Sequence, residues 1–261
     1  MARLEAILES TRSTLPPLRA RRGALEREAG ARAAPADFVA ALRRDKVAVV
    51  AEVKRRSPSA GAINEALDPA TLASAYAAGD AAAISVLTDR RYFGGSLADL
   101  ETVVAAVSCP VLRKDFILDE VQLLEARAAG AAAALLIVRV LEAAALRRLV
   151  EFAVALGVTP LVEAHSEAEV DRALQSGAMV IGVNARDLDT FSVDTNAAWR
   201  AMGRIPSSHI AVAESGMADV TDVQRAAEAG ADAVLIGTAL AAAPDPAARL
   251  AALTGVPRRG R

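Results

Sequence analysis

The sequence of 261 residues contains one cysteine, two histidines and only 3% aromatic residues. A lone cysteine, Cys109, excludes an intramolecular disulfide, and its place before Pro110 suits a small packed residue better than a nucleophile. With only His165 and His209 beside it, the chain is too poor in soft ligands for a structural zinc site. Charge of one sign is also lacking: 30 Lys and Arg stand against 32 Asp and Glu, for a net charge of −2. Without a basic excess or stacking aromatics, nucleic acid is not the expected partner. Arg258, Arg259 and Arg261 read as a frayed basic end. The longest apolar run, 128–138, falls well short of the roughly 18 residues a membrane helix needs. The first residues, M-A-R-L-E-A-I-L-E, carry charges within their apolar pattern and do not read as a signal peptide. The cytoplasm is the expected compartment, with no membrane partner and an oligomeric state left open between monomer and small homo-oligomer.

What the chain does contain is a repeat. A helical segment ends in a small residue and glycine, a short step follows, and an apolar strand run comes next. The pattern appears as A-G-D-A-A-A-I-S-V-L from Ala78, A-G-A-A-A-A-L-L-I-V from Ala129, S-G-A-M-V-I-G-V-N from Ser176 and A-G-A-D-A-V-L-I-G from Ala229. Gly79, Gly130, Gly157, Gly177 and Gly230 stand where a left-handed helix cap belongs. The strand runs are continuous rather than alternating, as for parallel strands covered by helices. They fall near 47–53, 82–87, 110–114, 132–138, 158–163, 179–184, 209–214 and 232–237. Eight βα units in about 250 residues predict an α/β protein of the (β/α)8 barrel type. A doubly wound open sheet is the alternative; it more often has about six strands and a glycine fingerprint after the first, where this chain has Ser57-Pro58-Ser59. Before the first strand, residues 1–45 read as a helical extension of a single barrel domain 1–261. Pro16-Pro17 is expected to interrupt its first helix, with a short third helix at 37–42.

In such barrels the site lies at the C-terminal strand ends. Strand one ends with Glu52 and Lys54, an i, i+2 pair on one face. Later strands end with Lys114, Glu163, Asn184 and Glu214. A single Glu or Lys at a strand end is usually a solvated cap, and Arg55, Arg56 and Arg113 are read that way. Three acids and two lysines on one rim are different: confined together they must pair or shift their proton affinities, as general acids and bases do. Ser215-Gly216 and Gly237-Thr238 follow strands seven and eight, where small residues commonly bare backbone N–H groups to phosphate; Ser57 and Arg186 are candidates to join them. Pro58, Phe93, Phe116, Leu135 and Leu188 lie near the same rim and could line a pocket for an aromatic ring. His165 and His209 read as a loop and a strand-start residue, and Phe191 and Trp199 as packing. Taken together, these residues describe an acid–base enzyme without metal or cofactor, acting on a phosphorylated small molecule.

At these positions the chain resembles the indole-3-glycerol phosphate synthase family. The matching motifs are E-V-K-R-R-S-P-S (52–59), S-V-L-T-D with F-G-G-S (93–96), L-R-K-D-F-I-L (112–118), P-L-V-E (160–163), I-G-V-N-A-R-D-L (181–188) and A-E-S-G (213–216). The resemblance implies a lyase of tryptophan biosynthesis. It would cyclise 1-(2-carboxyphenylamino)-1-deoxyribulose 5-phosphate with loss of CO2 and water, without metal or cofactor. It further implies Lys114 as general acid at the ribulose carbonyl and Glu163 as general base in the later dehydration. Glu52 and Lys54 would be a coupled pair that positions substrate and passes protons. Asn184 and Glu214 would hold substrate hydroxyls and order the lysines. Ser57, Arg186, Ser215, Gly216, Gly237 and Thr238 would cradle the phosphate and sugar, and the apolar set would face the anthranilate ring. Ala60, Ala132, Ala185 and Thr238 depart from the common pattern without removing a catalytic group. Two other readings are a different phosphate-binding barrel, such as a sugar-phosphate isomerase, and a non-catalytic phospholigand-binding barrel. Neither needs the E-x-K pair together with Lys114 and Glu163.

Overall fold

Alternating faces along eight apolar runs are realised as one closed parallel barrel. The computed structural model describes residues 2–57 and 61–260, so Pro58, Ser59 and Ala60 lie outside the described residues. The barrel strands are β1 (Ala48–Val53), β2 (Ala83–Leu87), β3 (Val111–Lys114), β4 (Ala133–Ile137), β5 (Thr159–Ala164), β6 (Val180–Asn184), β7 (Ile210–Glu214) and β8 (Ala233–Ile236). Each pairs in parallel with its sequence neighbour, and β1 pairs with β8 to close the ring, Ala48 opposite Ala233. A two-residue antiparallel ladder, Arg56–Ser57 with Gly61–Ala62, flanks the undescribed residues after β1.

Two apolar regions result from the alternation. Side chains such as Val50, Leu112, Leu135, Leu161, Val180 and Val212 fill the lumen, whereas Val49, Val86, Leu136, Val162 and Ile181 join the shell beneath the outer helices. Every residue of β1, β2, β3, β4, β7 and β8 is buried, as strands enclosed on both faces must be. Most helices between the strands begin on side-chain caps, Ala143–Ala155 being an exception. Asp68, Ser96, Asp119, Ser166, Asp194 and Asp219 each accept a backbone N–H of the first turn. Such a cap is worth about 1 kcal/mol.

The glycine caps behave as expected at four of five positions. Gly130, Gly157, Gly177 and Gly230 have positive φ, but Gly79 has φ −84° and the left-handed residue is Asp80. Gly79 is required for space instead: a Cβ there would stand 2.8 Å from the Ala247 carbonyl oxygen.

The N-terminal extension forms α1 (Ala2–Ala20), α2 (Arg22–Ala31) and α3 (Phe38–Leu42). The expected break at Pro16-Pro17 does not occur; both prolines lie inside α1, and the turn comes at Arg21. Leu15 is buried with Leu25, Val121 and Leu124, so packing against the helix Glu120–Ala128 holds the chain helical through the two missing amide donors. Arg32 donates to the carbonyls of Ala128 and Ala129, and Arg127 donates back to those of Arg32 and Ala33, which locks α2 to the barrel. Of the basic end, Arg258 is tied down rather than frayed: it pairs with Asp232 at 3.1 Å, and its N–H donates to the Asp45 carbonyl; Arg261 lies outside the described residues.

Candidate active site

The lumen faces of β1, β3, β5, β6 and β7 end in polar side chains, and the barrel brings these ends together. Lys114 Nζ lies 3.0 Å from Glu163 Oε2 and 2.6 Å from Glu214 Oε2, bridging β3 to β5 and β7. On β1, Lys54 Nζ pairs with Glu52 Oε1 at 2.7 Å. Glu163 and Glu214 are each only 1% exposed, so these charges meet in a region of low dielectric. Burial alone would lower the proton affinity of Lys114, but the carboxylates of Glu163, Glu214 and Glu52 outweigh it and hold the amine charged. The two carboxylates on Lys114 are driven apart. Burial raises Glu214, helped by the negative charge of Glu163 and opposed by Lys114. For Glu163 burial also raises, but Lys114 and then His165 more than offset it, and the group falls below its ordinary value. One carboxylate that keeps its charge beside one that takes a proton is the arrangement from which base and acid roles are drawn.

Two glycines make room for this cluster. A Cβ at Gly182 on β6 would stand 2.1 Å from Glu214 Oε1, and one at Gly237 would stand 2.3 Å from Glu52 Oε1 and 2.8 Å from Lys54 Nζ. Gly237 was a candidate for phosphate; the structure shows that it also admits the Glu52–Lys54 pair. Gly182 was not singled out, although a glycine inside a strand is itself a signal of close approach.

Above the charges opens a cavity of about 560 Å³. It is lined by all six catalytic candidates, by Ser57, Arg186, Ser215, Gly216, Gly237 and Thr238, and by Phe93, Phe116, Leu135 and Leu188. The rings of Phe93 and Phe116 sit 6.4 Å apart, tilted by 39°, and form one apolar wall. The opposite wall carries the small residues. Ser215 and Gly216 both have positive φ, and a Cβ on Gly216 would stand 2.6 Å from Thr195 Cγ2. Asn184 Oδ1 accepts the Arg186 N–H at 3.0 Å, and the Arg186 guanidinium donates to the Phe191 carbonyl. The Asn184 bond orders the Arg186 turn. Pro58 lies outside the described residues.

Three residues have surroundings the sequence reading did not give them. Phe191, read as packing, lines the cavity with φ 59°. Arg113, read as a solvated cap, is buried on the outer face of β3 among Thr88, Asp115, Glu125 and the Gln122 carbonyl. His165, read as a loop residue, has a side chain 2% exposed between Glu163 and Glu169. The signal for it was present: Glu163 and His165 are an i, i+2 pair, as Glu52 and Lys54 are.

The arrangement can hold an anion at its small-residue side, a planar ring against its phenylalanines, and move protons between them. Comparison with known proteins agrees with this geometry. The sequence model of the indole-3-glycerol phosphate synthase family matches residues 4–253. The chain is 52% identical over 248 residues to indole-3-glycerol phosphate synthase 1 of Streptomyces coelicolor, covering 94% of this chain and 92% of that one. It is 51% identical over 252 residues to the indole-3-glycerol phosphate synthase of Mycolicibacterium gilvum, covering 96% and 93%. Among solved structures it is similar in fold alone to a 3-hexulose-6-phosphate synthase, with TM-score 0.63 and 18% identity over 79% of this chain and 98% of that one. A thiamine phosphate pyrophosphorylase from Pyrococcus furiosus aligns with TM-score 0.60 and 15% identity over 81% and 95%. The full-length identities, in a barrel whose strand ends carry the expected lysines and carboxylates, establish that this chain belongs to the indole-3-glycerol phosphate synthase family.

Proposed function

We propose that the lumen cluster divides the work of ring closure, decarboxylation and dehydration among its named residues. The observation that carries this reading is Lys114, held charged between Glu163 and Glu214 beneath a cavity with an apolar wall and a small-residue wall. Lys114 meets the ribulose carbonyl oxygen as the anthranilate ring carbon attacks, and stabilises and protonates the alkoxide that forms. Carbon dioxide then leaves, and the ring regains its electrons. Glu163, kept as a carboxylate, takes the proton released as the hydroxyl departs as water. Glu52 and Lys54 position the substrate and pass protons at that step. Asn184 and Glu214 hold the sugar hydroxyls, Glu214 also ordering Lys114. Ser57, Arg186, Ser215, Gly216, Gly237 and Thr238 take the phosphate and sugar, and Phe93, Phe116, Leu135 and Leu188 take the ring, with Pro58 assigned to the same wall by resemblance. No metal or cofactor enters this scheme. The whole chain acts as one barrel domain with residues 1–45 as its extension, working in the cytoplasm on a small phosphorylated substrate, as a monomer or small homo-oligomer.

The test is turnover of 1-(2-carboxyphenylamino)-1-deoxyribulose 5-phosphate by the purified chain without added metal, followed by the fluorescence of the indole product. Wild type is expected to form it, and Glu163→Gln to lose roughly 10²–10⁴-fold in turnover as a removed base. An active Glu163→Gln protein would overturn the assignment of the base.

A further inference from the structure

We propose that His165 is a positioning residue for Glu163, setting its buried imidazole against the carboxylate oxygen that Lys114 does not hold. The imidazole sits at the end of β5 with its Nε2 3.3 Å from Glu163 Oε1 and its Nδ1 3.3 Å from Glu169 Oε2. Lys114 occupies the other oxygen, Glu163 Oε2, at 3.0 Å. Lys114 thus hydrogen-bonds one oxygen of the base, while the buried Nε2 of His165, which makes no hydrogen bond of its own, faces the other at 3.3 Å.

The ring itself is fixed from outside. Glu169 Oε2 accepts the His165 backbone N–H at 2.8 Å as well as facing Nδ1. Glu169 Oε1 is held by Arg139 Nε at 3.1 Å, and Arg139 in turn reaches Asp187 at 2.9 Å. The charged groups around the ring are therefore Glu163 on its own strand and Glu169 on the following helix, with Arg139 behind Glu169. Lys114 and Glu214 face Glu163 across the lumen.

This arrangement has a chemical consequence. A neutral imidazole has one N–H and can donate to only one of the two carboxylates, whereas an imidazolium donates to both. The ring stands where any positive charge it carries lies beside Glu163. His165 is accordingly among the groups that pull Glu163 below its ordinary value.

The inference rests on the reading of Glu163 as base, and Glu163→Gln in the same assay separates the two. If Glu163→Gln stays active, that reading fails; if it is inactive while His165 variants behave as wild type, only the present inference fails. The experiment is the pH profile of kcat and KM for the full-length His165→Ala, His165→Gln and Glu169→Gln proteins. In His165→Ala, kcat is expected to fall roughly ten- to a hundredfold through misplacement of the base, with KM near wild type. The acid limb of kcat is expected to move up by about one pH unit, because a cation beside the carboxylate is gone. His165→Gln restores an N–H donor without the charge, so it recovers rate while the limb stays displaced. A fall in rate with no movement of the limb marks a merely structural residue and overturns the proposal, as does a loss confined to KM. Should His165→Ala fail to fold, Glu169→Gln carries the test: the ring then faces one carboxylate, and the limb moves in the same direction by less. An unmoved limb in that variant overturns the proposal equally.

Discussion

Arg113 and Lys114 are consecutive cations on one strand, both buried and each between two carboxylates, yet they do different things. Arg113 points outward from the barrel. Its guanidinium donates to Thr88, to the Gln122 carbonyl and to Asp115, and pairs with Glu125 at 2.8 Å, with helix Glu120–Ala128 covering it. Lys114 points inward, and its carboxylates line an open cavity. The chemistry of the two clusters is alike; access is what differs. A saturated, covered ion network stabilises a geometry, whereas the same kind of network at the edge of a cavity can exchange a partner for substrate. Perturbed proton affinities by themselves do not separate these cases.

Substitutions on the two faces of β3 sharpen the contrast. The largest effect is expected from Lys114→Ala, with turnover down roughly 10²–10⁴-fold. The fold should survive, because Glu163 and Glu214 can neutralise by taking up protons once the amine is gone. Indole fluorescence and circular dichroism read the two outcomes, and a fully active variant would show that the inner cation is as structural as the outer one.

Arg113→Ala is the converse. It strands Asp115 and Glu125 beneath a helix, and the expected cost is about 3–5 kcal/mol of stability, as for a broken buried pair. Turnover per folded molecule should change far less than in Lys114→Ala. Urea denaturation together with active-site titration checks this; equal stability in mutant and wild type would mean that the outer network contributes nothing.

The smallest effect concerns pH. Glu214 holds its proton more tightly in the folded chain than at its ordinary value of 4.5. Its contribution to stability is therefore complete below that pH and is lost as pH rises through the raised folded-state value. Glu214→Gln removes this dependence, so its stability should decline less than wild type's between pH 4.5 and the alkaline side. Thermal melts across that range measure it. Identical slopes would mean that Glu214 is not the group that carries the extra proton.

Much of this protein was legible from its residues. The eight strand runs were readable because each is an uninterrupted apolar stretch preceded by a helix stop, and both are local properties. The polar strand ends were readable because alternation places Glu52 with Lys54 on a common face and sets Lys114, Glu163 and Glu214 on the faces of Leu112, Leu161 and Val212. The role of His165 was missed because its partner Glu169 lies one helical turn further on, and burial of the ring between the two acids depends on how that helix docks. Arg113 was misjudged because nothing in V-L-R-K-D tells that a helix covers one side chain and a cavity opens over the other. The continuation of α1 through Pro16-Pro17 overrides local propensity by burying Leu15 among Val121 and Leu124, more than a hundred residues away.

The sequence by itself determined which side chains share a strand face, since alternation along an extended chain is a matter of covalent geometry. It also determined how many strands there are, since each is bounded by its own turn chemistry. Only the tertiary structure decided which strand ends meet. Lys114 reaches Glu214 across one hundred residues because β1 pairs with β8 and closes the ring. Closure is a cooperative property of all eight strands, and no single strand encodes it. The same closure buries Lys114, Glu163 and Glu214 together, and there burial and neighbouring charge hold the amine charged while they drive the two carboxylates apart.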